Sequence, residues 1–195
     1  VRAREGANAP DAGPCTVTIG AGGILRSAPI EGLESLDEGS GITADADGTV
    51  VVLAAPEHAL RFYDAGLAFQ RSAAISEVLA SPDDSLRGLA TGSEPRTYFT
   101  YNQTTRTLGW LSDAGDLLDT LVPQIPDGSV TALAFRPGPP GRGTLLLLEV
   151  VRDTHENRIL ELSLDGAVLS TIPHPFSTLA HVPVPCNLEP VQLGA

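Results

Sequence analysis

The chain has no lysine and no methionine, only two cysteines, one tryptophan and 5% aromatic residues. Every one of its 12 basic side chains is therefore arginine, and they face 24 acidic residues for a formal net charge of −12. A surface of that sign repels phosphate backbones and anionic lipid headgroups, so nucleic-acid binding and charge-driven membrane docking are disfavoured. The missing lysine and methionine are read as genome composition, with no mechanism attached. No run of about 18 apolar residues occurs, which excludes a membrane-spanning helix. Also absent are a haem-attachment C-x-x-C-H, zinc-finger spacing, a P-loop, a G-x-G-x-x-G and a G-x-S-x-G nucleophile elbow. The four histidines (His58, His155, His174, His181) thus lack the serine partner that nucleophilic catalysis needs, and no catalytic residue is assigned.

What the chain has in quantity is glycine (20) and proline (16), the punctuation of a chain that turns often. With 195 residues and 42% hydrophobic content it can bury one good core. Residues 1–14, VRAREGANAPDAGP, are small, polar and punctuated by proline and glycine, and read as a flexible tether left after processing. Residues 15–195 read as a single domain.

An internal repeat sets the architecture. Ile42, Leu89 and Leu133 mark a first strand, and second strands begin at Val50, Thr97 and Thr144, 47 residues apart each time. Leu60, Leu108 and Ile159 mark a third. Turn glycines follow at Gly66, Gly115 and Gly166, and the fourth strands are LAFQR, DLLDTL and AVLSTI. Four short strands per period of about 47 residues is the pattern of a propeller blade. Helical periodicity is visible only at AAISEVLA, 73–80, where a turn or two of helix is expected.

Three blades do not close a ring, so the chain ends are expected to supply a fourth. CTVTIGAGGILRSAPI near the N-terminus fits third and fourth strands, and STLAHVPV near the C-terminus fits a first. Four blades of about 47 residues account for roughly 188 positions. The fold class is therefore all-β, a β-propeller of four four-stranded blades with the last closed by N- and C-terminal strands. That layout places Cys15 and Cys186 in one composite blade. A disulfide between them would close a loop of about 170 residues and stabilise by roughly 4–5 kcal/mol in the chain-entropy model. It also implies an oxidising, extracytoplasmic compartment: periplasmic, secreted or surface-associated.

The segment GITADADGTVVVL, 41–53, crowds Asp45, Asp47 and Thr49 around Gly48 and resembles a cation loop at first sight. In the blade register it sits between first and second strands, and its counterparts GSEP and GPPGRG keep the turn but drop the carboxylates. The Glu that an EF-hand requires is missing, so the reading is a tight turn and no metal site is assigned.

GITADADGTVVVL, EHALRFYDAG and ENRILELSLDG together resemble the repeats of NHL-type, SdiA-regulated-like and gluconolactonase-like propellers. The matching residues are Ile42, Asp45, Gly48, Thr49, His58, Leu60, Asp64 and Gly66 in one blade and Asn157, Ile159, Asp165 and Gly166 in another. The middle blade is degenerate: Gly88, Leu89, Leu108, Asp113 and Gly115 fit, but its first turn does not. Those families usually have more blades than this chain supplies. Gluconolactonase-like members hold a divalent cation on the ring axis with Glu, Asn and Asp; the corresponding positions here are Gly41/Thr43, Gly88/Ala90 and Ala132/Ala134. Small residues suit a narrow axis and count against that cage.

Candidate binding residues lie in exposed turns. Glu57 and His58, with His155, Glu156 and Asn157, fall between second and third strands and are expected to share one rim. The blade-to-blade connections on the same rim are acidic, with Glu31, Glu34, Asp37, Glu38, Asp83, Asp84 and Asp127. Rim loops on a rigid ring are where such folds bind partners. The favoured function is a non-catalytic binding or scaffold module outside the cytoplasm, of the kind that serves as an accessory subunit of a membrane or surface complex without being integral to the membrane. Its partner is expected to be another protein, no cofactor is assigned, and weak calcium binding on the acidic loops stays open. The alternative is a metal-dependent lactonase or esterase of the gluconolactonase-like type.

Overall fold

The computed structural model describes residues 41–125, 128–139, 143–151 and 157–173. They form three four-stranded antiparallel sheets. The first holds β1 (Gly41–Ala44), β2 (Val50–Ala54), β3 (Ala59–Tyr63) and β4 (Phe69–Ala74). The second holds β5 (Leu86–Thr91), β6 (Thr97–Asn102), β7 (Thr107–Ser112) and β8 (Leu117–Leu121). The third holds β9 (Gly128–Arg136), β10 (Thr144–Val151), β11 (Asn157–Ser163) and β12 (Val168–Pro173). Each sheet is a meander in sequence order, and the first strands β1, β5 and β9 are neighbours. This is an all-β propeller, and β2, β6 and β10 begin at the three positions the repeat marks.

Alternation along the strands explains why blades stack. On β6, Tyr98 joins a core shared with Val51, Leu53, Leu60 and Phe62 of the first blade. Its neighbours Phe99 and Tyr101 point the other way, into a core with Leu145, Leu147, Leu160 and Leu162 of the third. A period-2 strand thus feeds two interfaces, and the middle blade is apolar on both faces. Each fully buried leucine here contributes about 1.5–3 kcal/mol of transfer free energy.

At the inner edge the first two strands touch backbone to backbone. A Cβ on Gly41 would stand 2.3 Å from the Leu89 nitrogen, so only glycine fits. Blade packing therefore demands glycine at Gly41, and a Cβ on Gly88, with φ 63°, would stand 3.0 Å from the Leu133 nitrogen of the third blade.

Two expectations are corrected. The 73–80 segment is not helical: β4 continues to Ala74, and beyond it a single turn forms in which the Leu79 N–H donates to the Ser76 carbonyl. Ala73 is claimed by strand pairing with Leu60, which overrides the local propensity. The only helical geometry among the described residues is a 3-10 turn at Ala55–Glu57. The turn after β3 is also displaced by one residue from the expected register. Its left-handed position is Leu67 (φ 65°), matching Gly115 (φ 85°) and Gly166 (φ 88°), while Gly66 precedes it. The Asp64 carboxylate accepts from the Gly66 and Ala68 N–H groups, as the Ser112 hydroxyl accepts from Ala114 and Asp116.

The N-terminal tether and the composite fourth blade expected from the sequence, with both cysteines, fall outside the described residues. Among those described, no helix is long and apolar enough to cross a membrane.

Candidate binding faces

The strands run up and down, so their connections fall on two faces. One carries the turns between second and third strands together with the blade-to-blade connections. Glu57 sits there in the 3-10 turn and His58 ends it in a left-handed conformation (φ 47°). Arg61 of β3 grips Glu57, Nη2 to Oε1 at 2.5 Å. The His58 ring donates from Nε2 to the Asp84 carbonyl oxygen at 2.9 Å, which fixes the proton on that nitrogen. The fold thus brings Glu57, His58, Asp83 and Asp84 to one rim. Asn157 opens β11, while His155, Glu156, Asp127 and the acidic residues between 31 and 38 lie outside the described residues.

Most of these groups are engaged. Asp84 Oδ2 accepts from the Ser81 N–H (2.8 Å), the Ser81 hydroxyl (2.9 Å) and the Asn102 amide (3.1 Å). Those bonds, the Ser81 N–H first, hold its carboxyl below the ordinary range. Asn102, fully buried, also donates to the Leu79 carbonyl, and its Oδ1 accepts from the Thr104 and Thr105 N–H groups. Gln103, in the same turn, reaches the next blade as His58 does: Nε2 donates to the Gly128 carbonyl at 3.1 Å and Oε1 accepts the Val130 N–H at 3.0 Å. In the first and second blades, then, the second-to-third turn hooks the chain entering the next blade, through His58 and Gln103, while Asn102 fastens the chain entering its own blade. Asn102 and Gln103 are not singled out by the sequence, although their turn is the repeat equivalent of the one carrying His58. Asp83 remains exposed.

The other face carries the first-to-second and third-to-fourth turns. In ADADG the Gly48 N–H donates to the Asp45 carbonyl, Gly48 adopts φ 88°, and Asp47 Oδ1 accepts the Thr49 N–H at 2.9 Å. Asp45 Oδ2 is taken by the Tyr98 hydroxyl of the second blade at 2.6 Å. Burial, then this carboxylate, push the Tyr98 phenol well above its usual value. The two carboxylates thus serve the turn and the blade seam. No three His, Cys, Asp or Glu side chains converge among the described residues.

Between the second and third blades Glu149 is fully buried and accepts from Arg158 Nε at 2.5 Å. Among the described residues, its Oε1, Arg158 Nη2 and the Tyr101 hydroxyl have no hydrogen-bond partner. Removing Arg158 would strand the buried Glu149 charge, a loss of about 3–5 kcal/mol, whereas Arg158, a quarter exposed, keeps access to water.

No protein-family model and no curated protein matches the chain. Among solved structures it is similar to U3-55K (11% identity, TM-score 0.49), covering 73% of this chain and 41% of that one. It is similar to virginiamycin B lyase from Staphylococcus aureus (11% identity, TM-score 0.49), covering 87% and 69%. It is also similar to Kuenenia stuttgartiensis hydrazine synthase (10% identity, TM-score 0.44), covering 75% and 53%. The first two are β-propeller proteins. The chain spans about two fifths of U3-55K and about half of the hydrazine synthase chain. The blade assignment rests on the strand pairings above and on no residue of these neighbours.

Proposed function

We propose that the chain is a non-catalytic β-propeller binding module that works outside the cytoplasm and docks on a basic surface of a partner protein. The observation that carries this reading is the use made of the polar rim: His58, Asp84, Asn102 and Gln103 are spent on fastening blades. What remains free for a partner is acidic surface such as Asp83, on a chain of net charge −12. Electrostatic complementarity of this kind speeds encounter and selects the sign of the partner. The small first-strand residues count against the lactonase alternative, because Gly41 and the segment around Gly88 lie in backbone contact where ligands would have to project.

The test is native co-purification from the source organism at low and at raised salt, with intact-mass analysis of the chain before and after reduction. The expected result is a stoichiometric basic partner released by salt, and a chain whose two cysteines become alkylatable only on reduction. A solitary chain that hydrolyses lactones or esters when supplied with divalent cations would overturn the reading.

A further inference from the structure

The two described blade seams are built on one plan, and one of them lacks a piece. In the first seam Arg71 of β4 stands opposite Phe62 of β3. Its guanidinium lies 3.7 Å over the Phe62 ring and reaches across to the next blade, donating to the Asp113 carbonyl (2.6 Å) and carboxylate (3.0 Å). In the second seam the same register, with the same bulge beside it, sets Asp119 of β8 opposite Trp110 of β7. The position facing it on the third blade, equivalent to Asp113, is Leu164. So the aromatic platform is kept and the cation is replaced by a carboxylate.

The space that the guanidinium fills in the first seam is a cavity of about 80 Å³ in the second, lined by Phe99, Leu108, Trp110, Asp119, Leu121 and Leu164. That volume holds several atoms, since a single water needs only about 10–15 Å³ by the same measure. Phe99 stacks on the indole with ring centroids 5.8 Å apart, making a rigid aromatic wall. The indole Nε1 is buried without a hydrogen-bond partner among the described residues. Asp119 is exposed at the mouth, with one oxygen on the Thr120 N–H at 2.8 Å.

An aromatic face beside a carboxylate attracts a cation with a flat or apolar body. We propose that this cavity is a binding site for an arginine side chain of a partner protein, which would stack on Trp110 and pair with Asp119 as Arg71 stacks on Phe62 and pairs with Asp113. The site deepens the binding-module reading and rests on it, by naming the side chain such a partner would insert.

Trp110 is the only tryptophan in the chain, so its fluorescence reports the cavity alone. The experiment titrates the full chain with N-acetylarginine amide, with its neutral citrulline counterpart, and with a short arginine-containing peptide. A saturable change is expected with the arginine amide, about fivefold or more weaker with the citrulline compound, and tighter with the peptide. Asp119→Asn should weaken the arginine response to the citrulline level while leaving the circular dichroism unchanged. Asp119→Arg combined with Leu164→Asp should rebuild the clamp in cis, abolish the response and raise the melting temperature.

Equal responses to arginine and citrulline, an Asp119→Asn variant that binds as the parent does, or no saturable change at all would overturn the site. A free amide that binds as tightly as the peptide would overturn the partner-protein source. If a basic partner co-purifies while the cavity stays silent, the site fails and the binding-module reading stands. If no partner is found and the cavity still discriminates arginine, the module reading and the partner-protein source fail together while the arginine site stands.

Discussion

Asp84 reads as a rim candidate in the sequence, and in the structure it is a fastener whose charge matters. Because its folded carboxyl titrates below the unfolded value of 3.8, it adds stability above that value and loses it as pH falls through the folded one. Asp84→Ala should therefore lower the melting temperature at neutral pH, and the gap from the parent should narrow as the pH drops below about 4, which thermal melts across pH will read. An unchanged gap would mean that packing alone sets the loss. Single side chains are also where the sequence is least legible. Tyr98 and Asp45 are far apart in the chain, and nothing local announces that a hydroxyl on one blade satisfies a carboxylate on another. Glu149 looks in the sequence like an ordinary charge in an apolar strand, yet it is fully buried beside a register shift and paired with Arg158.

Strands and turns are far more legible, because blades repeat and periodicity averages over local exceptions. Val50, Thr97 and Thr144 open their strands as expected, and the apolar marks Leu60, Leu108 and Ile159 all fall inside third strands. The failures have local causes. Leu67 takes a left-handed position that a glycine one residue earlier disguises, and Ala73–Ala74 are captured by pairing with β3. The inner strands yield a sharp prediction. Gly41→Ala would push a methyl into the Leu89 nitrogen, backbone that cannot swing aside, and should destabilise by about 1–3 kcal/mol or more. Chemical denaturation of the variant measures this, and a loss near zero would show that the first two inner strands can part.

At the scale of the molecule, the middle of the three described blades is the best supported, since Tyr98 and Tyr101, both fully buried, serve opposite cores. Native-state hydrogen exchange should find its β6 and β7 amides slowest, with β12, where Leu169 is 57% exposed, opening earlier. Uniform protection over all three blades would indicate a single cooperative unit. The matched registers of the two seams have a further consequence for assembly. Each blade meets the next with a different surface from the one it shows the blade before, so the contact is heterologous, head to tail. A contact of that kind carries no internal stop: it ends only when a ring shuts or when the supply of blades runs out.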